Sequence, residues 1–223
     1  MSFESVPEGL RAVVERDCRA VQPLHPAWLR TVMAVGVLAV VLAFTLASAS
    51  LRCDIDRLPM WLSWGCSALQ LALGVLLIAM ALREAVPGAA VPDGAIRWIA
   101  GTAFAVQVLV GVATAFYSPA VAVAGGEVTA GIGCLSHESL VVLPTFLVTL
   151  WLVFRALPLR APVAGLLGGA GAAVASDAVL HLICPMSDLR HVLVWHTGAV
   201  VLFMAAGWAA GWIWDRMRWP RSP

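Results

Sequence analysis

The sequence predicts an all-α, polytopic membrane protein of six transmembrane helices with both termini in the cytoplasm. Three observations lead there. Of 223 residues, 61% are hydrophobic and 12% charged, with mean hydropathy +0.90, which leaves too little polar surface to cover a soluble globule. Six apolar runs, at 31–51, 60–82, 98–118, 139–157, 161–182 and 191–214, are each near the roughly 20 residues needed to cross hydrocarbon. Eleven of the 14 arginines fall before the first run, in the second and fourth loops and in the tail, whereas Arg52, Arg57 and Arg190 lie in the other loops. Arginine retained on the cytoplasmic side sets that orientation.

Trp28, Trp61, Trp64, Trp98, Trp212, Trp214 and Trp219 fall near run ends, where an amphipathic indole settles, and they support these boundaries. Ala47-Ser48-Ala49 resembles a signal-peptide cleavage site. The 30-residue leader and the apolar run before it are too long for that reading. Residues 1–30 are then a cytoplasmic amphipathic arm and linker, 31–214 the transmembrane domain and 215–223 a cytoplasmic tail.

Composition also removes function classes. A formal net charge of +1 offers no field for nucleic acid, so no direct contact with DNA or RNA is expected. All 14 basic residues are arginine, which removes a Schiff-base lysine and the lysine of a phosphate loop.

In the arm, Ser5-x-x-Glu8 with Pro7 reads as a helix cap. Leu10, Val13, Val14, Cys18 and Val21 then form one apolar stripe on a helix of about four turns, ended by Gln22-Pro-Leu-His-Pro. Four acidic and three basic residues within 1–20 argue against simple adhesion to anionic lipid. The stripe therefore suits either the groove of a soluble partner or a passive lid over the membrane lipid.

Within the spans, Gly165/Gly169 and Gly207/Gly211 are small-xxx-small pairs in runs five and six. Close helix packing accounts for them, and a homodimer contact is the other use of such a pattern. Pro144 in run four is positioned to kink its helix.

The third loop contains Cys134-Leu-Ser-His137-Glu138, and run five ends in His181-Leu-Ile-Cys184-Pro185, with His191 and His196 following. A thiol and an imidazole three residues apart share one face of a helical turn. The two pairs together offer a Cys₂His₂ set (Cys134, His137, His181 and Cys184) of the kind a tetrahedral soft divalent ion accepts, bound transiently rather than as an obligatory cofactor. A Cys134–Cys184 disulfide on the oxidising outer side, or unpaired structural residues, are also open, and Cys53 and Cys66 lie on the same side. Asp177, inside run five, needs a partner, and His181 four residues on is the nearest in sequence. Glu138 is placed to cap run four, and His196 to make a bundle-facing hydrogen bond.

The arm ending in Val21-Gln-Pro-Leu-His-Pro-Ala-Trp28, the six spans, Cys134 followed by Glu138, and His181-Leu-Ile-Cys-Pro185 leading to Trp195-His196 resemble the NrsF family of membrane anti-sigma factors. The resemblance implies a multi-pass protein of the bacterial inner membrane. Its N-terminal segment would hold an extracytoplasmic-function sigma factor and release it when metal ions or oxidants act outside. It also implies that Cys134 and Cys184 are the sensing pair. From another class, a thiol–quinone oxidoreductase would want a C-x-x-C pair, which is absent from the sequence. A metal transporter would want more intramembrane acids than Asp177.

Overall fold

The computed structural model describes residues 8–17, 23–117 and 127–218, and these are helical with short connections. The arm helix α1 spans Glu8–Asp17. Six further helices, each long and apolar enough to cross a membrane, follow: α2 (Ala27–Ser48), α3 (Trp61–Glu84), α4 (Asp93–Tyr117), α5 (Glu127–Phe154), α6 (Ala161–Ile183) and α7 (Leu189–Arg218). Five of the six expected spans agree with these limits to within about five residues.

The exception is α5, which starts twelve residues before the expected position. Residues 127–138 include two glycines, a serine, a histidine and two glutamates, so they do not read as an apolar run. They are helical all the same, because the inward side of this stretch packs within the bundle: Gly131 and Glu138 are both buried. Cys134, His137 and Glu138 thus belong to a helix and not to a loop. Glu138 lies about three turns inside α5, which corrects its expected place as a cap.

Of the arm's stripe, Val13 is exposed. The side chains of Leu10 and Val14, the residues Cys18 and Val21, and the cap residues Ser5 and Pro7 lie outside the described residues.

Helix α6 is the axle of the bundle, with 89% of its apolar stretch buried. Its sequence explains how. Gly165, Gly168, Gly169 and Gly171 lie in a stretch rich in alanine, so neighbouring backbones come close. A Cβ on Gly169 would run into the Phe203 carbonyl, one on Gly165 into the Gly207 carbonyl, and one on Gly171 into Gly74 and Ile78. The two small-residue pairs therefore pack α6 against α7 within one chain, and van der Waals contact between backbones replaces the hydrophobic drive that lipid cannot supply.

Three arginines clamp the ends of the bundle. At the end where α2 begins, the buried Arg30 guanidinium donates to the carbonyls of Leu82 (2.9 Å) and Leu152 (3.2 Å), in the last turns of α3 and α5, and to His25 (3.2 Å) in the linker from the arm. The Leu82 and Leu152 carbonyls are among the last four of their helices, which lack intrahelical donors. Near the same end, Arg160 bonds Glu84 (2.5 and 2.8 Å) and Asp93 (2.6 Å). At the far end, Arg52 grips Asp54 through two bonds (2.6 and 2.9 Å) and also bonds Ser187, and its backbone N–H donates to Leu182 (3.0 Å). The first and fifth loops are thereby one unit.

Replacing Gly169 by Val forces the backbones of α6 and α7 apart. Its unfolding midpoint in detergent is expected to fall, with a cost above the roughly 1–3 kcal/mol of ordinary overpacking. Gly36→Ala, with open space at its Cβ, is expected to leave the midpoint unchanged or raise it. Equal melts for the two variants would contradict this packing.

Candidate functional site

The candidate site lies at the Arg52 end, where α5, α6 and α7 meet. Cys134 and Glu138 are one helical turn apart on α5, and Asp177 is on α6. The N–H of Cys184, which ends α6, donates to the Leu180 carbonyl (2.8 Å) and closes the helix. Helix α7 opens with Asp188, whose carboxylate accepts from the N–H groups of Arg190 (2.9 Å) and His191 (3.2 Å).

Directly after this cap, residues Val192–His196 form a wide π-helical turn. In an α-helix, residues five apart diverge by about 140°. A turn closed by i→i+5 bonds places them on one face instead, and here the rings of His191 and His196 are 5.5 Å apart at 61°. Gly131 on α5 makes room for the Trp195 indole beside them, where any Cβ would overlap the ring.

The sulfurs of Cys134 and Cys184 are 3.5 Å apart and not joined, and Cys184 Sγ lies 3.8 Å from His191 Nε2. One donor atom from each of Cys134, Cys184, His191 and His196 lies within 4.8 Å of the others. Cys184, just past the end of α6, has its thiol pulled well below the ordinary value. The hydrogen bond from the Cys134 thiol is the main cause, the contact with His191 and the nearby His196 imidazole add to it, and burial opposes it.

Below the sulfurs is a buried polar network. Asp177 Oδ1 accepts from His196 Nδ1 (2.7 Å), and Oδ2 accepts from Gln70 (2.9 Å) on α3 and Gln107 (2.6 Å) on α4. Gln70 also donates to Gln107 Oε1 at 2.7 Å. Four helices thus converge on one carboxylate. Glu138 is fully buried 4.0 Å from His196 Nδ1, and neither of its carboxylate oxygens has a hydrogen-bond partner. The ring nitrogens His196 Nε2 and His191 Nδ1 are likewise buried without one.

Of the expected four-residue set, the structure brings Cys134 and Cys184 together but completes the cluster with His191 and His196. His137 is exposed and lines a cavity of about 390 Å³ that opens onto both cysteines. His181 turns towards α3, where its Nε2 meets the Leu62 carbonyl at 3.2 Å. The partner expected for Asp177, His181, is accordingly replaced by His196, nineteen residues along the chain. Cys53 is exposed, Cys66 is half-buried, and neither joins the cluster. Gln70, Gln107 and Arg52 were not anticipated as site residues. The readable signal for the glutamines was a single carboxamide in the middle of an apolar run, since such a group needs a partner inside a bundle.

A sequence model of the NrsF family, described as negative regulator of sigma F, matches residues 15–219. The chain belongs to the NrsF family. No curated protein and no solved structure matches it. As an NrsF protein it is a negative regulator of a sigma factor, which makes a sigma factor its partner and fits an anti-sigma factor rather than an enzyme. The six long apolar helices fit a multi-pass membrane protein of this family.

Removing one donor to Asp177 tests the network. Gln107→Leu is expected to cost about 1–3 kcal/mol of stability, as a weakened charged hydrogen-bond network does. Gln107→Glu, which adds a carboxylate beside Asp177, is expected to melt lower still. The reverse order of midpoints would contradict the arrangement.

Proposed function

We propose that this protein is an anti-sigma factor of the bacterial inner membrane whose cytoplasmic arm, residues 1–22, holds an extracytoplasmic-function sigma factor, and that Cys134 and Cys184 on the periplasmic side control the release. The observation that carries this reading is the approach of the two sulfurs to 3.5 Å at the bundle end away from the arm linker. The arginine asymmetry supports the orientation.

Two chemical events fit the pair. An external oxidant accepts two electrons while the thiols lose two protons and form one S–S bond. Alternatively, a soft divalent cation binds both sulfurs as thiolates and displaces the protons that they still carry. The disulfide draws α5 and the end of α6 together, and the cation locks them at a fixed spacing. Helix α5 is continuous from Cys134 to Leu152, whose carbonyl holds Arg30, and Arg30 also holds the His25 carbonyl in the linker to the arm. A shift of α5 thereby reaches the segment that presents the arm. Turning a 1:99 equilibrium into 99:1 takes about 5.5 kcal/mol of differential affinity, which two thiolate bonds to a soft ion can supply.

In a sigma-dependent reporter strain, Cys134→Ser and Cys184→Ser are expected to lose induction by cadmium or dichromate, and a normal response in both would contradict the sensing role. Deleting residues 1–22 is expected to abolish sigma-factor capture and leave the reporter constitutively on. Equal capture with and without the arm would move the contact to the inner loops.

A further inference from the structure

We propose that Cys134, Cys184, His191 and His196 are the four ligands of one closed tetrahedral site for a soft d¹⁰ divalent ion of the zinc or cadmium kind, with Asp177 as the residue that positions His196. This inference rests on the reading of the two cysteines as the sensing groups and specifies what completes them.

Geometry argues for it first. In a tetrahedral site with metal–sulfur bonds near 2.3 Å and metal–nitrogen bonds near 2.0–2.1 Å, ligand atoms stand about 3.3–3.8 Å apart. The sulfurs are 3.5 Å apart, one sulfur–imidazole distance is 3.8 Å, and all four donors fall within 4.8 Å. Shifts of about an ångström close the set.

The free nitrogens argue for it second. His196 is buried with Nδ1 committed to Asp177 at 2.7 Å, while Nε2 has no hydrogen-bond partner. A buried imidazole nitrogen left unpaired is costly, and a carboxylate holding one nitrogen so that the other faces a metal is the usual arrangement around a metal-ligating histidine. The π-helical turn, which places His191 and His196 on one face, serves the same end.

Charge and access agree. Two thiolates neutralise a divalent ion, so the loaded site adds no net charge to a buried region. The ion takes both sulfurs as thiolates, and any protons that the ligands still carry leave with solvent. The cavity of about 390 Å³ lined by His137, Cys134 and Cys184 reaches the sulfurs from outside the bundle and provides the entry path. With all four positions taken by protein there is no open position for a substrate, which suits sensing and not hydrolysis.

The test uses the full-length protein, reduced and metal-free in detergent. One Co²⁺ per chain is expected to give the intense visible bands of tetrahedral coordination and to be displaced by Cd²⁺. X-ray absorption of the zinc-loaded wild type reads the ligand set without any substitution: two sulfurs near 2.3 Å and two imidazole nitrogens near 2.0–2.1 Å are expected. Fewer than two imidazoles overturns the proposal.

His191→Gln and His196→Gln are each expected to weaken Cd²⁺ binding at least as much as Asp177→Asn, for which the loss is about 10–100-fold. His137→Ala is expected to leave the equilibrium affinity unchanged. Full affinity in both histidine variants, with binding lost in Cys134→Ser and Cys184→Ser, overturns the histidine ligands and leaves the cysteine reading standing. Unchanged Cd²⁺ affinity in the cysteine variants overturns both.

Discussion

Hydrocarbon offers no hydrogen-bond partners, so a carboxylate on the most enclosed helix of a membrane-type bundle has to be satisfied by other side chains. Asp177 on α6 is that carboxylate, and the arrangement around it follows from the need. Gln70 brings in α3, Gln107 brings in α4, and His196 brings in α7. The demand is met by one residue from each of three neighbours, so displacing any one of them leaves a buried polar group unpaired. A network of this kind rigidifies the bundle around Asp177 and specifies a single packing there.

The cysteines sit on the rim of this network and not apart from it. His196 has one nitrogen on Asp177 and the other free beside the sulfurs, so chemistry at the sulfurs and packing among α3, α4, α6 and α7 share a residue. Arg52 ties the first loop to Leu182 and Ser187, on either side of Cys184. At the opposite end Arg30 joins α2, α3 and α5 through backbone carbonyls. The glycine-rich contacts of α6 between these two points hold the backbones in direct contact, and the proposed release would carry motion between the ends as rigid helix displacement.

Much of this was legible before any coordinates. Hydropathy located the spans because a bilayer demands long apolar runs, and Cys134 and Cys184 stood out as thiols at the same bundle end. What stayed hidden has specific causes. The first three turns of α5 carry glycine, serine, histidine and glutamate, so hydropathy ended the span early and left Cys134 in a loop. The spacing rule that paired Asp177 with His181 describes a single helix, whereas the actual partner comes from a neighbouring one. His191 and His196 could not be placed on one face with an α-helical period, because a local π turn changes that period. His137 had the right spacing from Cys134, but it faces the cavity mouth.

In the proposed function, ligation at the sulfur end weakens the grip on the sigma factor at the other end. The direct measurement is the affinity of the full-length protein in lipid nanodiscs for its sigma factor, with and without saturating Cd²⁺. The account predicts a loss within the range of about 5–150-fold usual for coupled sites, and, by reciprocity, an equal loss of Cd²⁺ affinity once the sigma factor is bound. A sigma-factor affinity that Cd²⁺ leaves unchanged would contradict it.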